Sequence, residues 1–238
     1  MIWGAFGAVH LLSLALSAAM ILLLYLFLKK RSEKVQGQIL FVLSFAGIGA
    51  IAFNLLQWGS PLEYLPLHLC SLAALLLPFA VKTNNRTVNN LLLLWGLGAL
   101  IALVLNTEQA NYKVFSWTFA FYYIPHTLEA GLVWLQFALK RAKLDAKCIP
   151  STLGITLGAY TLVHGINVLI NNYCQAHQVL DWAGNVIKVN YMFSITPTNP
   201  LLQAIYTRPY WYMFGILPII LVYLGLVYHK QLLKKKKA

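Results

Sequence analysis

Charge is what this sequence has least of. Only 10% of its 238 residues are Asp, Glu, Lys or Arg, and just 6 are acidic. An ordinary soluble domain carries about a quarter of its residues as charges. Cysteine is scarce as well: Cys70, Cys148 and Cys174 form an odd set without CxxC spacing, which speaks against a disulfide framework. No HxxxH or HExxH pair occurs, there is no internal repeat, and low complexity is confined to the tail. The longest stretch without a convincing span, Asn172 to Arg208, leaves no room for a soluble domain. The first 29 residues lack a basic n-region and a small-residue cleavage site, so the apolar start reads as a retained helix. One transmembrane domain over residues 1–238 is expected.

Apolar side chains make up 60% of the chain, and the mean hydropathy is +0.68. A helix needs about 20 apolar residues to cross a bilayer. Seven segments qualify, near 3–28, 36–57, 64–82, 89–106, 114–139, 149–171 and 209–229. The sequence thus predicts an all-α polytopic membrane protein, a bundle of seven transmembrane helices. Its net charge of +12 would suit nucleic acid in a soluble protein, but the positions of the charges argue otherwise. Fifteen of the 18 basic residues fall after the first span (Lys29, Lys30, Arg31, Lys34), after the third (Lys82, Arg86), after the fifth (Lys140, Arg141, Lys143, Lys147) and in the tail (Lys230, Lys234–Lys237). Lys113, Lys188 and Arg208 are left for the other face. The positive-inside rule then places the N-terminus outside and the tail in the cytoplasm. Following a span directly, the basic tail is a topology determinant and anionic-lipid contact, and no nucleic-acid partner is expected. Asn85-Arg86-Thr87 matches a glycosylation sequon but falls on the cytoplasmic side. Trp58, Tyr112, Trp182, Tyr210, Trp211 and Tyr212 fall near outer ends, as interfacial anchors do.

Within this apolar background Leu65-Pro66-Leu67-His68-Leu69-Cys70-Ser71 places an imidazole and a thiol near the start of a span, where ionisable groups are costly. At about 1.5 Å rise per residue, Cys70, His68, His10 and His164 all lie roughly 10 Å below the outer helix ends, and His126 about 18 Å. Cys70 is read as a nucleophile. Residues two apart on a helix point to nearly opposite sides, so His68 is a positioning candidate and not the base. On the fifth span His126 shares a stripe with Tyr122, Tyr123 and Glu129, making it the candidate base. Glu129 could orient its ring, completing a Cys–His–carboxylate arrangement. With Pro66 in the first helical turn, the thiol stands one turn further in and gains little from the dipole. Tyr122, Tyr123 and Asn190 are candidate oxyanion donors. Each group also has a bland reading, since Cys is a common packing residue and membrane histidines often only bridge helices. His177 and His229 fall in a loop and the tail.

The Leu65 to Ser71 stretch, with Tyr123-Ile124-Pro125-His126, Asn190-Tyr191-Met192-Phe193, Pro209-Tyr210-Trp211-Tyr212 and His10, resembles the bacterial YwaF-type integral membrane proteins. That family is related to a eukaryotic transmembrane acyltransferase that makes polyunsaturated ether phospholipids through a cysteine. The resemblance covers nearly the whole chain in order and helix count. It implies a seven-helix acyltransferase or transacylase of a plasma membrane, with membrane phospholipids and lysophospholipids as partners and Cys70 matching the nucleophile. The depth of Cys70 suits lipid esters, which sit at the boundary of hydrocarbon and headgroups. The thiol would form a thioester while His126 takes and returns protons. No cofactor and no metal is expected on this reading.

Two other readings stay open. His10, His126 and His164 could ligate zinc in a seven-helix lipid hydrolase. Alternatively, polar groups at membrane depth mark the pathway of a small transporter or lipid-binding protein, although no inverted repeat is present.

Overall fold

In a computed structural model, residues 1–57, 60–105, 109–198 and 200–235 are described. Trp58 and the tail residues Lys236 and Lys237 lie outside the described residues. The apolar runs become α1 (Ala8–Leu28), α2 (Glu33–Leu43), α3 (Ala46–Gln57), α4 (Leu69–Thr83), α5 (Arg86–Leu105), α6 (Trp117–Ala138), α7 (Ile149–His177), α8 (Pro200–Ala204) and α9 (Leu217–Lys235). No strand occurs among the described residues, only isolated bridges between Ile2 and Lys113 and between Leu180 and Val186. Five segments are long and apolar enough to cross a membrane: Ala8–Leu28, Glu33–Gln57, Arg86–Leu105, Ala146–His177 and Trp211–Leu233. The chain is therefore an all-helical, multi-pass membrane protein.

Two of the seven expected spans fall short of that mark for different reasons. Helix α6 has the length, 22 residues, but Tyr122, His126, Glu129 and Gln136 make it too polar. Helix α4 is apolar but has only 15 residues, about 22 Å of rise against a hydrocarbon layer of about 30 Å. Its predicted first turn is not helical, because the chain from Pro61 to Glu63 forms a 3₁₀ turn and the helix begins only at Leu69. Pro66 lacks an N–H and disfavours helical backbone at Leu65.

The chain forms two compact units, one of Met1–Ala50 with Leu69–Cys148 and one of Ile51–His68 with Ile149–Ala238. In the first, α6 packs against α5, α4 and α1, and α4 also against α2 and α5. Gly131 permits the α1 approach, since a Cβ there would lie 2.1 Å from Ile21 Cδ1; small residues do this at membrane helix interfaces. Helix α1 is inverted relative to a soluble helix: Leu11, Leu12, Leu16, Leu22 and Leu23 are exposed, while His10 and Ser17 are buried. Lipid is as apolar as leucine, so leucines can face it at little cost while His10 and Ser17 need hydrogen-bond partners inside the protein.

The second unit is organised on α7. Asn167 Nδ2 donates to the Tyr191 carbonyl at 2.8 Å and to Ser194 Oγ at 2.9 Å, and its Oδ1 accepts the Tyr191 N–H at 3.0 Å. This holds a 3₁₀ turn in which Met192 and Phe193 have φ of 51° and 55°, a costly left-handed backbone for such side chains. The Tyr191 hydroxyl donates to the Leu62 carbonyl and accepts the Leu65 N–H. Burial is the main cause that pushes its phenol up to about 12.

Back in the first unit, the start of α5 is tied to the chain before Cys148. Asn90 Nδ2 donates to the Lys143 carbonyl at 3.0 Å, its Oδ1 accepts the Asp145 N–H at 3.1 Å, and Arg86 Nη1 reaches Asp145 Oδ2 at 2.8 Å. The Lys147 N–H, then Arg86, hold the Asp145 carboxyl below the usual carboxylate range. A carboxyl depressed in the folded state contributes stability above its unfolded pKa and loses it as pH falls through its folded value. Asp145→Asn should therefore lower the melting temperature of the detergent-solubilised protein slightly at pH 7. The difference from wild type should vanish as the pH falls below the ordinary Asp range.

Candidate functional site

The first unit gathers the thiol, the imidazole and the carboxyl that the sequence singled out on α4 and α6. Because α4 begins at Leu69, Cys70 is its second residue, in the first turn and not a turn further in. Its thiol is half-buried and reduced. The Ser71 N–H and hydroxyl and the Cys70 N–H hydrogen-bond to the sulfur. First-turn N–H groups have no intrahelical acceptor, so the irregular chain before Leu69 gives Cys70 the helix-terminal donors that a longer helix would have denied it. Sequence reasoning missed Ser71 and this helix start, although Pro61 and Pro66 carried the signal.

His126 is half-buried on α6. Its Nδ1 lies 2.7 Å from the Tyr122 carbonyl, which can only accept, so Nδ1 carries the proton and Nε2 is the basic nitrogen. The Tyr122 ring lies against the imidazole with centroids 4.3 Å apart. Orientation of the ring thus comes from a backbone carbonyl and a phenol one turn back, and Nδ1 is not held by Glu129. Glu129, one turn on, is 4% exposed, and its Oε1 has no hydrogen-bond partner among the described residues. Cys70 and His126 are the titratable groups within electrostatic reach of it.

The other expected residues are placed differently. The Tyr123 hydroxyl donates to the Ser13 carbonyl and accepts from Ser17, both at 2.7 Å, and Tyr122 donates to the Ala102 carbonyl at 3.1 Å. Both phenol protons are committed to backbone, which removes these residues as ready oxyanion donors. His10 is fully buried. Its Nδ1 accepts the Phe6 N–H at 2.9 Å and its Nε2 donates to the Leu103 carbonyl at 2.7 Å, so both nitrogens are used in tying the N-terminal turn to α5.

His68, His164 and Asn190 belong to the second unit. His68 Nδ1 accepts the Met192 N–H at 3.4 Å, and its ring lies against Tyr191 and Phe193. His164 Nδ1 pairs with Ser194 Oγ at 3.0 Å. Asn190 closes its own turn, with Nδ2 donating to Thr196 and Oδ1 accepting the Ile195 N–H at 3.0 Å. Among the described residues no group of three His, Cys, Asp or Glu side chains is placed to hold a metal ion.

Replacing His10 by Leu should leave the Leu103 carbonyl buried and unpaired, at a cost of about 1–3 kcal/mol, and free the N–H of the exposed Phe6. Thermal denaturation in detergent should show the loss, while the rate at which N-ethylmaleimide alkylates Cys70 stays at the wild-type value.

The model of the TMEM164 family matches residues 5–228. No curated protein and no solved structure matches the chain.

Proposed function

The chain belongs to the TMEM164 family, and from that premise we propose that it is a membrane-embedded acyltransferase working through a thioester on Cys70. The observation that carries the reading is the packing of α4, which carries Cys70, against α6, which carries His126 and the buried Glu129. A thiol in a first helical turn with an imidazole nearby is the setting in which a cysteine becomes nucleophilic. A buried carboxyl between helices at membrane depth marks function more often than structure.

The donor is a membrane phospholipid and the acceptor a lysophospholipid or related glycerolipid. Cys70 Sγ attacks the ester carbonyl, the glycerol oxygen leaves with a proton, and the thioester passes its acyl chain to the acceptor hydroxyl. Once the sulfur is bonded to the acyl carbon it accepts hydrogen bonds only weakly, which releases the N–H groups of Cys70 and Ser71 to the oxyanion of each tetrahedral intermediate. His126 and the neighbouring Glu129 carboxyl form the acid–base pair that serves both half-reactions. Exclusion of water by the bundle favours transfer over hydrolysis.

We read α4 and α6 as two crossings beyond the five that meet the length and hydropathy mark, for seven in all. The asymmetry of fifteen basic residues against three places the N-terminus outside and the tail in the cytoplasm of a plasma membrane.

Purified protein in vesicles containing a phospholipid with a labelled acyl chain and a lysophospholipid acceptor provides the test. Wild type should transfer label to the acceptor, and Cys70→Ala and Cys70→Ser should each lose at least about two orders of magnitude in rate. Transfer at the wild-type rate by Cys70→Ala would remove the thioester mechanism.

A further inference from the structure

Most buried polar groups on the helices of the first unit are spoken for. His10, Ser17, Asn89, Asn90 and Gln136 are all buried and all hydrogen-bonded. Gln36 on α2 leaves Oε1 unpaired but bonds through Nε2, whereas Glu129 has its Oε1 buried with no hydrogen-bond partner among the described residues, and leaving such an atom unpaired is costly. A carboxyl retained only to hold His126 would accept a hydrogen bond from the ring, yet Nδ1–H goes to the Tyr122 carbonyl.

The surroundings narrow what Glu129 can exchange protons with. From α4 the titratable group that reaches it is Cys70, and from its own helix it is His126. Tyr122 and Tyr123 on α6 have committed their protons to carbonyls. Helix α1 brings His10, with both nitrogens engaged, and Tyr25, packed against Trp134. Helix α5 brings Arg86, paired with Asp145.

Resting on the acyl-transfer reading, we propose that Glu129 is the proton carrier between Cys70 and the glycerol oxygens, with His126 as its counter-charge. In the first half-reaction the S–H proton passes to Glu129, directly or through one water, as the S–C bond forms. When the C–O bond breaks, the same proton goes to the departing glycerol oxygen. The second half-reaction reverses the path: the acceptor hydroxyl gives its proton to Glu129 as its oxygen bonds to the acyl carbon, and the carboxyl returns it to the sulfur as the S–C bond breaks. No proton is gained or lost overall. An imidazolium at His126 next to the ionised carboxylate makes that state tolerable in a low-dielectric bundle.

Glu129→Gln keeps the shape and removes the exchangeable proton. Acyl transfer should fall by about 10²-fold or more, with melting temperature and elution profile in detergent unchanged. The pH profile of Cys70 alkylation by N-ethylmaleimide, read on the Cys70 peptide by mass spectrometry, should also move, which a merely structural carboxyl would not cause. Glu129→Asp should restore part of the transfer and serves as the readout if the Gln variant melts early. Transfer by Glu129→Gln within about threefold of wild type, with an unmoved alkylation profile, would overturn the proposal while leaving the thioester mechanism standing on the Cys70→Ala result. Undiminished transfer by Cys70→Ala would overturn both.

Discussion

Hydrocarbon offers no hydrogen bonds, and the rest of this structure follows from that constraint. Each polar group carried to membrane depth has to find a partner inside the protein or be left there for a reason. His10 settles the N-terminal turn on Leu103, Ser17 joins Tyr123 to Thr127, and Asn167 secures a left-handed turn that few side chains would adopt unaided. By type and depth His10 reads as an active-site candidate, yet both of its ring nitrogens are hydrogen-bonded to backbone. Against that framework a buried carboxyl with an unpartnered oxygen, electrostatically coupled to a thiol and an imidazole, is conspicuous.

The same constraint explains the local geometry of the thiol. A helix that crossed the whole hydrocarbon layer would spend its first-turn N–H groups far from Cys70. Here α4 starts at Leu69, so the free donors of a helix start converge on the sulfur. The prolines before Leu69 matter because they decide where the helix can begin.

Much of this was legible in the chain. The helical, membrane-crossing character follows from apolar runs of the right length, and α1, α5 and α7 begin or end within a few residues of their predicted limits. The face shared by Tyr122, His126 and Glu129 follows from helical periodicity alone. Less legible was where α4 starts, because apolar residues on both sides of Pro66 mask the break. Nor could depth foretell a histidine's partners: backbone groups engage both ring nitrogens of His10 and, among the described residues, only Nδ1 of His126, and that depends on where Leu103 and Tyr122 present their carbonyls. Tyr122 and Tyr123 illustrate the same limit, being correctly placed near His126 yet with their hydroxyl protons already given to carbonyls.

The central claim is that a fatty acyl chain resides on Cys70 during turnover. Incubating the protein in vesicles with acyl-labelled phospholipid and no acceptor, quenching in acid, and mapping peptides by mass spectrometry tests it directly. The account predicts the mass of one acyl chain on the Cys70 peptide, removed by neutral hydroxylamine and discharged on addition of lysophospholipid. Label reaching the acceptor while the Cys70 peptide stays unmodified throughout would contradict it.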